Sequence, residues 1–275
     1  MNIRTALLQG QRLLEDARIA APRLTAEVLL AHAIGSERAW LYAHSSEELR
    51  EVWWIHFGRY LHERLQGKPT QYITGRQEFF GREFRLTPDV LIPRPETEHC
   101  VEAALELAPR ATQIADIGTG SGAIAVTLAL ETGARVVGTD ISEPALRVAD
   151  GNARRLGVQV AFLACDLGSA LHSSSFDLVV SNPPYVPASD QESVQREVRA
   201  YEPSVALFGG ADGLDVYRRL IPEAGRLLRP GGVLILEMGW SAADRLRAML
   251  DTWRHVSIRT DLAGIPRVLI AHKPS

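Results

Sequence analysis

The stretch Gln113-Ile114-Ala115-Asp116-Ile117-Gly118-Thr119-Gly120-Ser121-Gly122 decides how this chain is read. Its first half has strand character, its second half is a glycine-rich turn, and an apolar helical segment follows over 123–130. Glycines at such a turn let the backbone bend tightly and let a ligand approach the helix N-terminus. Downstream the alternation repeats. Strands are expected over 135–139, 159–164, 176–180 and 233–237, with helices over 143–156, 214–228 and 242–250. That rhythm predicts an α/β domain with a doubly wound, mostly parallel sheet covered on both faces. Two last strands, near 255–259 and 267–272, are joined by 260–266 alone. No crossover helix fits there, so they are expected to pair antiparallel, giving seven strands in all.

Upstream the pattern is helical. Ile3, Leu7, Leu8 and Leu14 recur at roughly helical spacing. After Pro22, a first-turn proline, Leu24, Val28, Leu29 and Ala33 repeat the spacing and Gly35 closes it. A short segment lies around 39–42, and a longer helix over 47–66 carries Val52, Trp53, Ile55, Phe57, Tyr60 and Leu65. Residues 1–75 are therefore expected to form a small helical domain. Its apolar stripes read as a bundle core, or in the aromatic cluster as a patch for a protein partner. Residues 76–90 are expected to be a β-hairpin linker with Gly81-Arg82 as its two-residue turn, and residues 91–275 the sheet domain.

The 275 residues are 46% hydrophobic and 23% charged, an ordinary globular composition. A formal net charge of -3 argues against a general nucleic-acid coat or a membrane-surface protein. The only cysteines, Cys100 and Cys165, lie far apart in apolar sequence, which points to reduced thiols and a cytoplasmic setting. No run reaches membrane-spanning length. With no H-E-x-x-H and no Cys/His cluster, no metal is expected.

Asp140 ends the second strand, where a carboxylate can take both hydroxyls of a ribose. Gly118, Gly120 and Ala123 also satisfy the dinucleotide fingerprint, so the glycine turn alone is ambiguous, and a tight turn without ligand is the plain alternative. Three features favour S-adenosylmethionine. Asp116 would repel a pyrophosphate but suits an ammonium and a sulfonium. Asp166, after the third strand, places a carboxylate near an adenine amino group. The antiparallel terminal pair departs from the wholly parallel dehydrogenase sheet.

Ser181-Asn182-Pro183-Pro184-Tyr185 then follows the fourth strand. Two prolines stop the ladder, fix φ and remove two N–H groups, giving a stiff elbow lined by acceptors. Such an elbow can hold a planar NH2 group through the Asn182 side-chain oxygen and the Pro183 carbonyl, with Tyr185 against its face. The bland reading is a strand-capping turn. The long connection 186–212 is expected to be a partly helical flap.

With these residues in place the chain resembles the protein-(glutamine-N5) methyltransferases that modify peptide chain release factors, the HemK/PrmC family. The likeness rests on the helical N-terminal region, the hairpin, Ile92-Pro93-Arg94-Pro95-Glu96-Thr97-Glu98, the loop 116–122, Asn182-Pro183-Pro184-Tyr185, and Glu202-Pro203 through Gly209-Gly210-Ala211-Asp212-Gly213-Leu214. It implies a methyltransferase that uses S-adenosylmethionine, with Asp116, Gly118, Thr119, Gly120, Ser121, Gly122, Asp140, Asp166, Leu167 and Asn182 on the cofactor. It implies that Asn182, Pro183, Pro184 and Tyr185 hold the glutamine of a Gly-Gly-Gln loop, with Asn182, Pro183 and Tyr185 acting in catalysis. Some relatives carry an aromatic where Leu167 stands, so the adenine contact here is apolar only. The implied partners are class-1 release factors, with no membrane and no direct nucleic acid. Glutamine methylation of a ribosomal protein would use the same residues. N6-adenine methylation of nucleic acid shares the elbow but calls for a basic groove. A non-enzymatic adaptor calls for a broken glycine loop.

Overall fold

The computed structural model describes residues 1–274. Its chain divides into two compact units, one made of Met1–Gly75 with Arg196–Tyr201, the other of the remaining residues.

In the first unit, the Asn2 side chain accepts a hydrogen bond from the Thr5 N–H and caps α1 (Ile3–Asp16). Pro22 opens α2 (Pro22–Ile34), and Gly35, in the left-handed region, ends it. Then come α3 (Arg38–Ala43), α4 (Glu51–Leu65) and α5 (Thr70–Thr74). The core gathers Ile3, Ala6 and Leu14 of α1, Leu29 and Leu30 of α2, and Phe57 and Leu61 of α4. α4 begins four residues later than the apolar spacing suggests. It buries the stripe Phe57, Leu61 and Arg64, while Val52 and Ile55, on the other side of the helix, are exposed.

In the second unit, β1 (Arg76–Phe79) and β2 (Arg82–Arg85) form the hairpin. Its turn is Phe80-Gly81, not Gly81-Arg82. Phe80 at φ 50 and Gly81 at φ 69 both lie in the left-handed region, the combination that suits the twist of a two-residue hairpin. Next come α6 (Glu98–Leu107), β3 (Gln113–Ile117), α7 (Ala123–Thr132), β4 (Arg135–Asp140), α8 (Glu143–Arg155), β5 (Ala161–Ala164) and β6 (Phe176–Ser181). They are followed by α9 (Arg196–Tyr201, counted in the first unit), α10 (Ser204–Leu207), α11 (Asp215–Leu227), β7 (Leu228–Glu237), α12 (Ala243–Ala248), β8 (Arg254–Thr260) and β9 (Pro266–His272).

Seven strands make one sheet in the order β5-β4-β3-β6-β7-β9-β8, parallel from β5 to β7 and antiparallel where β9 meets β7 and β8. The doubly wound sheet and its antiparallel end match the pattern read from the sequence. β7 starts five residues before Val233 because Leu228 already pairs with Phe176, across an irregularity between Phe176 and Leu178. Apolar clusters lie on both faces of the sheet. One joins Val126 and Leu128 of α7 to Ile114 and Leu178, the other joins Leu220 and Leu227 of α11 to Val179 and Leu234. No helix among the described residues is long and apolar enough to cross a membrane.

Gly10 sits where α1 crosses α4. A Cβ there would lie 2.5 Å from the ring of Phe57, which is fully buried. Gly10→Ala should gain about 1 kcal/mol of helix propensity and lose about 1–3 kcal/mol to overpacking. The expected net result is a less stable protein, read as a lower urea midpoint. A raised midpoint would show that the ring can yield.

Candidate active site

The carboxyl ends of β3, β4, β5 and β6 border one cleft. It lies where the strand order reverses, between β3 and β6, the place where open α/β sheets take their ligands. Counting its open mouth, the cleft encloses about 1220 Å³.

The glycine turn forms one wall. Gly118 at φ 74 and Gly120 at φ 54 need glycine for their backbone, and a Cβ on either would meet no atom within 4 Å. Gly122, also left-handed at φ 81, is constrained by space as well, since its Cβ would press on Ala149 of α8 at 3.1 Å. The N–H groups of Gly118 and Thr119 both bind the Thr139 carbonyl at 2.8 Å, fastening the turn to β4. Asp140 completes it: one carboxylate oxygen accepts from the Gly120 N–H and the other from the Ser142 N–H, each at 2.9 Å. Each oxygen keeps a second lone pair beside the cleft that Asp140 lines.

Of the residues expected at the site, Gly118, Thr119, Gly120, Ser121, Asp140, Asp166, Leu167, Asn182, Pro183 and Pro184 line this cleft. Asp116, Gly122 and Tyr185 stand behind it. The Asp116 carboxylate is buried and turned under the loop, where Oδ2 accepts from the Thr119 hydroxyl at 2.6 Å and the Ala125 N–H at 3.1 Å. Its Oδ1 has no partner. Burial pushes its pKa up to about 7, the neighbouring Asp140 charge adds to the rise, and the two hydrogen bonds only partly offset it. Asp166 is ion-paired with Arg219 of α11. Leu167, at φ 50, offers its carbonyl to the Thr139 hydroxyl at 2.7 Å.

At the elbow, Asn182 Nδ2 donates to the Thr97 hydroxyl at 3.1 Å. The Tyr185 ring packs against the core cluster beneath α11, and its hydroxyl lies 3.4 Å from the Glu237 carboxylate. Burial and that carboxylate raise the Tyr185 pKa well above the usual tyrosine range. Two glycines hold the elbow from outside. A Cβ on Gly209 would lie 2.5 Å from the Pro184 carbonyl oxygen, and one on Gly213 would collide with the Tyr185 carbonyl. Val186 N–H binds Leu207 O at 3.0 Å and Gly209 N–H binds Val186 O at 2.9 Å, so both ends of the connection 186–212 are fastened. The proline-rich stretch is also tied in. Glu202, buried, pairs with Arg94 and accepts from the Ile92 N–H at 3.1 Å.

Several residues at the site gave no signal in the sequence. Asn152 of α8 joins the hairpin to the glycine turn, donating to Arg85 O at 3.0 Å and Ser121 O at 2.9 Å while accepting from the Arg85 N–H. Glu237, at the end of β7, lies behind the elbow. The charged groups lining the cleft are Asp89, Asp140 and Asp166 against Arg219 alone, and Arg219 is already paired. The cleft thus repels phosphate and attracts a cation.

A sheet of this order, with a glycine turn after β3, Asp140 at the end of β4 and an asparagine-proline elbow after β6 on one edge, has the architecture of a methyltransferase domain. The family described as "PrmC N-terminal domain" matches residues 5–75, and that described as "Methyltransferase domain" matches residues 109–261. A release factor glutamine methyltransferase from Koribacter versatilis is 44% identical over 279 residues, covering 100% of both chains. One from Moorella thermoacetica is also 44% identical, over 99% of each. Among solved structures, a methyltransferase from Pyrococcus furiosus (TM-score 0.52, 19% identity, 71% of this chain and 91% of that one) is similar in fold. So is a ribosomal protein L11 methylase from Lactobacillus delbrueckii (TM-score 0.50, 21% identity, 72% and 88%). The chain belongs to the release factor glutamine methyltransferase family.

The raised pKa of Asp116 sets a pH dependence in the ligand-free protein. Between the ordinary value of 3.8 and about 7, the folded state holds a proton that the unfolded chain releases. Stability therefore falls as pH rises through that window and levels off above it. Asp116→Asn should flatten the fall in unfolding free energy measured by urea titration from pH 5 to pH 8. A fall equal to that of the wild type would mean Asp116 is not the titrating group.

Proposed function

We propose that this chain transfers the methyl group of S-adenosylmethionine to the side-chain amide nitrogen of the glutamine in the Gly-Gly-Gln motif of class-1 peptide chain release factors. Its full-length relatives carry the release factor in their names. The observation that carries the reading is the acidic cleft, with no unpaired cation among its lining residues, opening onto the Asn182 carboxamide. A dinucleotide would bring its pyrophosphate to that wall. A sulfonium with an ammonium brings the charge the wall favours.

The residues fit the cofactor. Asp140 holds acceptor capacity for the ribose hydroxyls. Ile141 and Leu167 offer apolar walls for adenine, and the open glycine turn leaves room for the backbone to meet the amino-acid arm. When bound, S-adenosylmethionine supplies an electrophilic methyl group on a sulfonium. The protein's own part is positioning. An amide nitrogen is a weak nucleophile because its lone pair is delocalised into the carbonyl. Asn182 Oδ1 accepts one N–H of the glutamine amide and the Pro183 carbonyl the other, which aims the nitrogen and stabilises the positive charge that grows on it. Neither Pro183 nor Pro184 has an N–H to compete for those acceptors. Tyr185 and Asp116 brace the site from behind: Tyr185 fixes the elbow and Asp116 the glycine turn. The helical unit is the docking surface for the release factor, since the cleft already holds the chemistry. The enzyme's place is then the cytoplasm, where translation terminates.

Incubation with labelled S-adenosylmethionine and purified release factor, ribosomal protein and DNA should label the release factor. Label in either of the others instead would redirect the assignment. Asn182→Ala should lower turnover about 10²–10³-fold, as loss of one transition-state hydrogen bond does, with cofactor affinity from calorimetry little changed. Wild-type turnover in that variant would sink the role given to Asn182.

A further inference from the structure

We propose that Asn152 of α8 is a positioning residue for the cofactor: by holding the Ser121 carbonyl out of the cleft, it sets how tightly the amino-acid arm of S-adenosylmethionine is bound. The inference rests on the reading that this arm meets the glycine turn.

A tight turn can set its peptide planes in more than one way. Most planes of this turn are tied to β4. Gly118 and Thr119 donate to the Thr139 carbonyl, and Gly120 donates to the Asp140 carboxylate. The Ser121–Gly122 plane has no such tie. Its N–H binds Thr119 O at 2.8 Å, within the turn itself, and Gly122 stands at φ 81. Glycine passes from positive to negative φ at little steric cost. Rotation of this plane therefore needs only two torsions to change together, ψ of Ser121 and φ of Gly122. The rotated plane would point the Ser121 oxygen away from α8 and break the bond to Thr119.

Asn152 decides between the two arrangements. It is 1% exposed, and its Nδ2 donates to the Ser121 carbonyl at 2.9 Å, a buried bond. The aim of the carboxamide is set from its other side. Oδ1 accepts from the Arg85 N–H at 2.8 Å, and Nδ2 donates to the Arg85 carbonyl at 3.0 Å. A main-chain N–H only donates and a main-chain carbonyl only accepts. The amide therefore cannot be reversed, and its remaining N–H is directed at Ser121. For packing alone a leucine of similar size would serve. What leucine lacks is the three hydrogen bonds to the backbone of two separate segments.

The placement explains the effect on the cofactor. Ser121 lines the cleft, whereas Asn152 lies on the groove between β2 and α8, beside Arg85. The oxygen it holds is drawn to the α8 side, away from the arm. Without Asn152 that oxygen becomes a buried acceptor with no donor, a state that folded proteins avoid. Rotation of the plane toward the water of the cleft relieves it. The carbonyl would then take up room beside the arm and bring partial negative charge to it. The cleft is already lined by Asp89, Asp140 and Asp166. The ammonium of the arm tolerates a further acceptor, but its carboxylate does not.

Calorimetry on the full chain tests this with two ligands, S-adenosylhomocysteine, which has the arm, and methylthioadenosine, which lacks it. Melting temperature and methyl-transfer kinetics are measured alongside. Loss of an outer partner that orients a contacting group costs about 10–100-fold. Asn152→Asp keeps the size and the acceptor for the Arg85 N–H and loses the donor to Ser121, so it is the variant expected to fold. It should bind S-adenosylhomocysteine weaker by that factor and methylthioadenosine as the wild type does. Its KM for S-adenosylmethionine should rise in step, with kcat at saturating cofactor far less affected. Asn152→Leu should show the same selectivity. Gly10→Ala, destabilised in the helical unit, should bind both ligands normally, which separates the pattern from lost stability. Wild-type affinity for S-adenosylhomocysteine in Asn152→Asp overturns the proposal. So does equal weakening of both ligands, which would make Asn152 a general support of the fold. If the wild-type protein binds neither ligand, the fault lies in the cofactor reading beneath.

Discussion

Parallel strands must all finish at the same edge, and the site depends on that constraint. Asp116 pairs with both Gly138 and Val180, and Asp140 pairs with Ala164. This register brings the ends of four strands level, so residues far apart in sequence face one opening. A slip of one residue in any of these pairings would turn the strand's side chains to the opposite face. The glycine turn would then lose its fastening to Thr139, and Asp140 would no longer reach the Gly120 N–H.

Carboxylates do most of the local organising. Asp140 absorbs two backbone N–H groups, Asp116 absorbs another beneath the turn, and Glu202 gathers the proline-rich stretch through Arg94 and the Ile92 N–H. Each replaces water at a backbone donor, which a tight irregular loop needs if it is to be buried. The outcome is a cleft whose lining is acidic while its loops are rigid. Close approach by Gly209 and Gly213 completes the arrangement by leaving the elbow no room to swing outward.

Much of this was legible in the sequence. Strand-helix alternation gave the sheet and its antiparallel end, because periodicity and loop length are local properties. The glycine turn, Asp140 and the elbow were legible because each stands at a strand end, where topology leaves little choice of position. What stayed hidden depends on partners remote in the chain. Asn182 meets Thr97 across 85 residues, Asn152 meets Arg85 across 67, and Arg219 meets Asp166 across 53. No spacing rule reaches so far, so Thr97 stood only within the proline-rich stretch that carried the family likeness and Glu237 at the end of an expected strand. Asp116 misled for a related reason: a sequence gives the charge of a carboxylate but not the direction it faces. The hairpin turn fell one residue early because Phe80 adopts a positive φ that an aromatic seldom takes.

The position of β9 has a consequence for how the protein is made. β9 lies between β7 and β8, with Val268 through Ala271 fully or almost fully buried. On the ribosome, β7 and β8 emerge first and must wait with facing edges unpaired until residue 272 is free of the exit channel. Exposed strand edges invite pairing with other chains. Until then the nascent sheet is held open in its interior, so chaperone binding during synthesis should concentrate on that late gap, not on the helices that emerge first.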